Sequence, residues 1–92
     1  MNYSWDEAKN RYLSSNRNIS FERILVALDE GDILQVLQNP NQHKYKDQKI
    51  YILSIDNYAW IVSFRDEEDK RVLITAYPSR KFTAKYLGGE LK

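Results

Sequence analysis

Residues 50–64, Ile-Tyr-Ile-Leu-Ser-Ile-Asp-Asn-Tyr-Ala-Trp-Ile-Val-Ser-Phe, limit the possible folds of this chain more than any other stretch. They read as two strands, 50–55 and 58–64, rich in β-branched and aromatic residues. Asp56-Asn57 between them tolerates the positive φ of a two-residue hairpin turn. That turn sets the register. Ile55 faces Tyr58, Leu53 faces Trp60 and Tyr51 faces Val62, on one side with Lys49 and Phe64. The other side carries Ile50, Ile52, Ser54, Ala59, Ile61, Ser63 and Arg65. Both sides are largely apolar, so both must be at least partly covered.

The cover has to come from helices. Ser4 followed by Glu7 is a capping-box pattern and predicts a first helix over 5–13, with Trp5, Ala8, Tyr12 and Leu13 on one face. Residues 14–18 read as a polar turn. Ser20 suits the N-cap of a second helix over 20–30, with Ile19 and Ile24 as a hydrophobic staple. Phe21, Ile24, Leu25 and Leu28 form its apolar stripe, and Gly31 is a left-handed stop. Residues 33–37 have strand character and end at Asn39-Pro40-Asn41. A polar loop over 42–48 follows. Residues 66–69 read as a solvated acidic turn and 72–77 as the last strand, stopped by Pro78. Ser79 then caps a third helix over 80–87, with Gly88 as its stop. The expected fold is one α+β domain over residues 1–92. It has two N-terminal helices, a three- to four-stranded antiparallel sheet and one C-terminal helix. The first two helices cover one sheet face, and the last helix or a partner protein covers part of the other.

Composition excludes several chemistries. With no cysteine and a single histidine, there is no disulfide, thiolate zinc site, cysteine nucleophile or multi-histidine metal centre. The polar, acidic start Met-Asn-Tyr-Ser-Trp-Asp-Glu has no apolar leader. No apolar run approaches the ~20 residues of a membrane-spanning helix. A cytoplasmic protein without membrane contact is expected. There is no Gly-rich phosphate loop and no Ser-His-Asp set that spacing supports.

Charge is distributed unevenly. Residues 70–92 carry six Lys/Arg against one Asp/Glu, whereas 1–34 and 35–69 each carry four against six. A basic end on a near-neutral chain suggests a local anion site, although a solvated basic helix face accounts for the same charges. Arg80 and Lys81 fall in the first turn of the third helix, where the dipole disfavours cations. Free amides, a guanidinium and an ammonium converging there would hold a phosphate; otherwise the two side chains simply extend into solvent. The 43–49 loop gathers His43, Tyr45, Lys44, Lys46 and Lys49, and histidine is the natural proton carrier near neutrality, though a lone loop histidine is commonly an ordinary surface residue. Tyr51, Tyr58, Trp60 and Phe64 share one sheet face and form either a base-stacking platform or, as aromatics at strand spacing usually do, part of the core.

Tyr3-Ser4-Trp5-Asp6-Glu7-Ala8-Lys9, Ile19-Ser20-Phe21-Glu22 and Tyr77-Pro78-Ser79-Arg80-Lys81-Phe82-Thr83-Ala84-Lys85-Tyr86 together resemble, in order and spacing, the BrnT-type toxins. These belong among the RelE-like ribonuclease toxins of type II toxin–antitoxin systems. The family's Lys-His-Gly before the second helix is replaced here by Asn16-Arg17-Asn18. The resemblance implies a RelE-like fold, RNA cleavage or translation inhibition, no metal or other cofactor, and a ribbon-helix-helix antitoxin as partner. It carries Arg80 and Lys81 over from the closing motif, and Trp5, Asp6 and Lys9 from the opening one. The combined expectation is a bacterial, metal-independent endoribonuclease acting on RNA, free or as ribosome-bound mRNA. In it the 2′-hydroxyl attacks, Arg80 and Lys81 stabilise the phosphorane, and His43 or Tyr77 moves a proton. Tyr45, Lys49 and Lys85 hold the RNA. The alternative is a non-catalytic interaction domain binding a protein partner or an RNA phosphate.

Overall fold

The computed structural model describes residues 2–88. The elements run β1 (Asn2–Ser4), α1 (Glu7–Arg17), α2 (Phe21–Asp29), β2 (Ile33–Gln38), β3 (Lys49–Ile55), β4 (Tyr58–Glu67), β5 (Lys70–Pro78) and α3 (Arg80–Leu87). The sheet order is β1-β5-β4-β3-β2. The fold is α+β as expected, but the sheet has five strands and is mixed, because β1 pairs parallel to β5. Three residues are too few to show a strand period, so Asn2–Ser4 is invisible in the sequence; only pairing with Lys70, Arg71 and Val72 makes it a strand.

That strand displaces the first helix. Ser4 lies in β1, and Asp6 is the N-cap instead, accepting from the Ala8 amide at 3.0 Å. The helix runs on to Arg17, through the residues expected to turn, and ends at Asn18 in the left-handed region at φ 55°. Its buried face consists of Asn10 and Leu13, while Ala8 and Tyr12 are exposed. A polar residue faces inward because Asn10 joins the two helices. Its Oδ1 accepts from the Phe21 amide at 2.8 Å and its Nδ2 donates to Glu22 at 2.8 Å. α2 matches its expected form, with Ser20 capping the Arg23 amide and Gly31 at φ +78°. Gly88 does not act as a left-handed stop, since its φ is −54°.

The central hairpin has the expected register, from Ile55 opposite Tyr58 to Lys49 opposite Phe64. Asp56 and Asn57 both take positive φ, 52° and 62°, as this turn requires. The acidic turn is shorter than expected: β4 extends to Glu67 and β5 starts at Lys70. Asp66 is therefore a strand residue ion-paired across the hairpin with Arg71.

Two cores result. On one face Leu13, Phe21, Ile24 and Ala27 pack on Tyr51, Leu53, Val62 and Phe64. Tyr51 and Phe64 stack at 4.4 Å between ring centroids and are buried, so their half of the aromatic row is core, closed to a base. On the other face Phe82 and Tyr86 of α3, with Leu34, cover Ile50, Ile52, Ala59 and Ile61. α3 is fastened by Thr83, whose Oγ1 accepts from the Ala59 amide at 2.8 Å and donates to the Ser79 carbonyl at 2.6 Å. Among the described residues no helix is long and apolar enough to cross a membrane.

Candidate functional site

α3 covers only part of its sheet face. Beside it the β2–β3 loop folds into its own network: Asn39 donates its amide to the Gln48 carbonyl at 3.1 Å, and Gln42 Nε2 donates to the carbonyls of Asn39 and Gln48. Between this loop and the strands lies a cleft of about 290 Å³. Its floor is Ile50, Ser63, Ile74 and Thr75, and its walls include Asn39, Gln48, Tyr45, Tyr77 and Lys9. Lys9 reaches the cleft because β1 pairs with only three residues of β5. α1 runs past the rest of that edge, where Arg17 donates to the Ala76 carbonyl at 2.7 Å.

The chemistry of the lining is specific. Among the described residues it offers two phenols, two aliphatic hydroxyls, two carboxamides and one ammonium, and no carboxylate. Tyr45 and Tyr77 are 36% and 42% exposed, so a ligand can reach both. An anionic ligand with a flat ring finds a cation, several hydrogen-bond donors and aromatic edges there without charge repulsion.

A second cleft of about 260 Å³ opens on the opposite face, lined by Arg17, Arg23, Tyr58 and Trp60, with Asp56 at its side. Arg23 Nη1 is buried without a hydrogen-bond partner among the described residues. The two clefts are linked along α1. Lys9 lines the first and Arg17 the second, and both sit over the exposed ring of Tyr12, at 5.3 and 5.6 Å from its centroid.

The candidates from sequence are thus separated. Tyr77 and Tyr45, far apart in the chain, meet in the first cleft. His43 is exposed on the loop and does not line it. Lys49 is half-buried on β3, in register with Phe64 on the α1–α2 face, and the same hairpin end holds Asp66. The hydrogen bond from Arg71 keeps the Asp66 carboxyl below its usual range, and the charges of Arg71 and Lys49 add to this. Arg80, Lys81 and Lys85 are exposed on α3 and outside the lining. Lys81 and Lys85 lie over the rings of Phe82 and Tyr86, at 5.8 and 5.4 Å. Thr75, Ser63 and Asn39 carried no sequence signal, since hydroxyls and amides become a site only by convergence. Lys9 did carry one, in the opening motif. Tyr58 and Trp60, the half-buried part of the aromatic row, line the second cleft.

No protein-family model, curated protein or solved structure matches the chain.

Proposed function

We propose that this protein is a BrnT-type toxin that binds single-stranded RNA and cleaves it without a metal, in the cytoplasm, under control of a ribbon-helix-helix antitoxin. One observation carries the reading: Lys9, Tyr45 and Tyr77, from three distant stretches, line one cleft free of carboxylates. A base stacks on a tyrosine ring there and Lys9 neutralises the adjoining phosphate. The RNA supplies its own nucleophile. As the 2′-oxygen attacks phosphorus it gives its proton to solvent water, the bond from phosphorus to the 5′-oxygen breaks, and Tyr77 gives the leaving oxygen its proton and regains one from water. The strand continues along α1, over Tyr12, toward Arg17 and the second cleft.

A specific observation favours the alternative of binding without cleavage. Arg80 and Lys81, expected to stabilise the phosphorane, lie outside the cleft lining, which leaves Lys9 as its single cation among the described residues. The deciding experiment is incubation of the purified protein with labelled single-stranded RNA in EDTA, alongside induction in growing bacteria. Cleavage to 2′,3′-cyclic phosphate ends together with growth arrest supports the nuclease. RNA binding without either supports the interaction domain, and absence of both RNA binding and growth arrest refutes the nuclease and leaves the domain only its protein partner.

A further inference from the structure

Among the described residues β2 is a free edge of the sheet. Ile33, Val36 and Leu37 on it are 40%, 44% and 37% exposed. The strand, Ile-Leu-Gln-Val-Leu-Gln, contains no charge and no proline, the features that usually keep an edge from pairing with another chain. A register shift between Ile33 and Gln35 leaves Gln35–Gln38 in regular pairing with β3, and the Val36 amide donates to the exposed Gln35 side chain at 3.1 Å, a contact that a pairing strand can replace.

The ends of this edge carry opposite charge. Asp29, Glu30 and Asp32 precede it and are exposed. Lys44 and Lys46 follow it, also exposed, with Asp47 as the single acid between the proline turn and β3. None of Asp29, Glu30, Asp32, Lys44 and Lys46 forms an ion pair among the described residues.

We propose that a second copy of this chain pairs with β2 antiparallel, about a two-fold axis normal to the sheet near Val36. Antiparallel pairing sets the acidic start of each β2 beside the basic loop that follows the other, so the charge match occurs twice. Parallel pairing would set like charges together at both ends. With the axis through Val36, that residue meets its own copy on the α1–α2 side, where it is in register with Tyr51. Leu37 then meets Gln35 on the α3 side. The two sheets join into one of ten strands, and the exposed Val36 and Leu37 are covered in the same step.

The chain has no cysteine, so an introduced one reports its own neighbour. The Val36→Cys protein, oxidised at micromolar concentration, should run as a covalent dimer, since facing residues of an antiparallel pair lie about 4.5–5.5 Å apart, within disulfide reach. Asp69→Cys, at the distant β4–β5 turn, should form no covalent dimer under the same conditions. Sedimentation of the unaltered protein should give twice the 10.9 kDa chain mass, and Val36→Lys should give the monomer with unchanged circular dichroism. Charge reversal tests the orientation without touching β2. Glu30→Lys with Asp32→Lys should raise the dimer Kd by about tenfold, as expected when several exposed ion pairs become like-charge pairs. Adding Lys44→Glu and Lys46→Glu should restore it. A monomeric mass at 100 μM, no crosslink above the Asp69→Cys control, or no rescue by the second charge reversal overturns the proposal.

Discussion

Asn10 Oδ1 accepts the backbone N–H of Phe21 at 2.8 Å, and through that bond the first part of α1 is indexed to the start of α2. Both groups are buried, so the partner cannot be replaced by water. Asn10→Ala should cost about 1–3 kcal/mol, the penalty of a buried donor left unpaired. In a chain of this length that lowers Tm by roughly 4–8 °C per kcal/mol. Asn10→Leu, which is of similar size but supplies no acceptor, should not recover the loss in calorimetry.

Thr83 performs the same service for α3. Its hydroxyl receives the Ala59 amide and is itself wholly buried. Thr83→Val keeps the shape and strands that amide, so it should destabilise by about 1–3 kcal/mol, and Thr83→Ser should recover most of it. Urea midpoints of the two variants measure the difference.

The Tyr3–Tyr51–Arg71–Asp66 network makes stability depend on pH at both extremes. Arg71 donates to the Tyr51 hydroxyl and to Asp66, and the Tyr3 and Tyr51 hydroxyls are 3.4 Å apart. Burial, then the hydrogen bond to Tyr51, pushes the Tyr3 hydroxyl up to about 12. A raised acid favours the protonated folded form. Its stabilisation is present below the unfolded value of about 10 and is lost as pH rises through about 12. Tyr3→Phe should flatten that alkaline fall in Tm. Asp66 behaves in the opposite sense. Its depressed carboxyl contributes above the unfolded value of about 3.9 and loses the contribution as pH falls through the lower folded value. Asp66→Asn should lower Tm at pH 7 and narrow the difference at pH 2.

Cleavage separates the tyrosine from the histidine. Tyr77→Phe should reduce RNA cleavage by about 10²–10⁴-fold, the usual loss of a general acid, with RNA affinity kept. His43→Ala should change nothing, because His43 stands outside the cleft. A large loss on His43→Ala with normal Tyr77→Phe activity would assign the proton to the loop instead.

Lys9→Ala should weaken RNA binding and lower the salt dependence by about one counterion, as the loss of a single phosphate contact does. Tyr12→Ala tests the path along α1. The ring is 46% exposed, so its removal should move Tm by no more than about 2–4 °C, since surface substitutions stay within about 0.5 kcal/mol. Affinity for a ten-nucleotide strand should fall by roughly 1–3 kcal/mol, one stacked base, while affinity for a dinucleotide held in the cleft stays the same.

The amino-acid order alone determined the local elements: the Asp56-Asn57 hairpin and its register, the stripe and caps of α2, and the Ser79 cap of α3. Each depends on turn chemistry or periodicity within a few residues, and those forces act whatever the rest of the chain does. Tertiary structure decided what has no local cause. Asn2–Ser4 is a strand only because Lys70–Val72 offers a ladder, and that strand moves the helix start from Ser4 to Asp6. Asn10 is buried because the next helix presents a donor to it. Tyr45, Tyr77 and Lys9 become one cleft because the short β1 leaves the end of β5 to α1. The placement of Arg80 and Lys81 outside that cleft follows from packing Phe82 and Thr83 inward. The helical repeat then carries the charged neighbours of those residues out to solvent, where charge patterning had shown their concentration but not their direction.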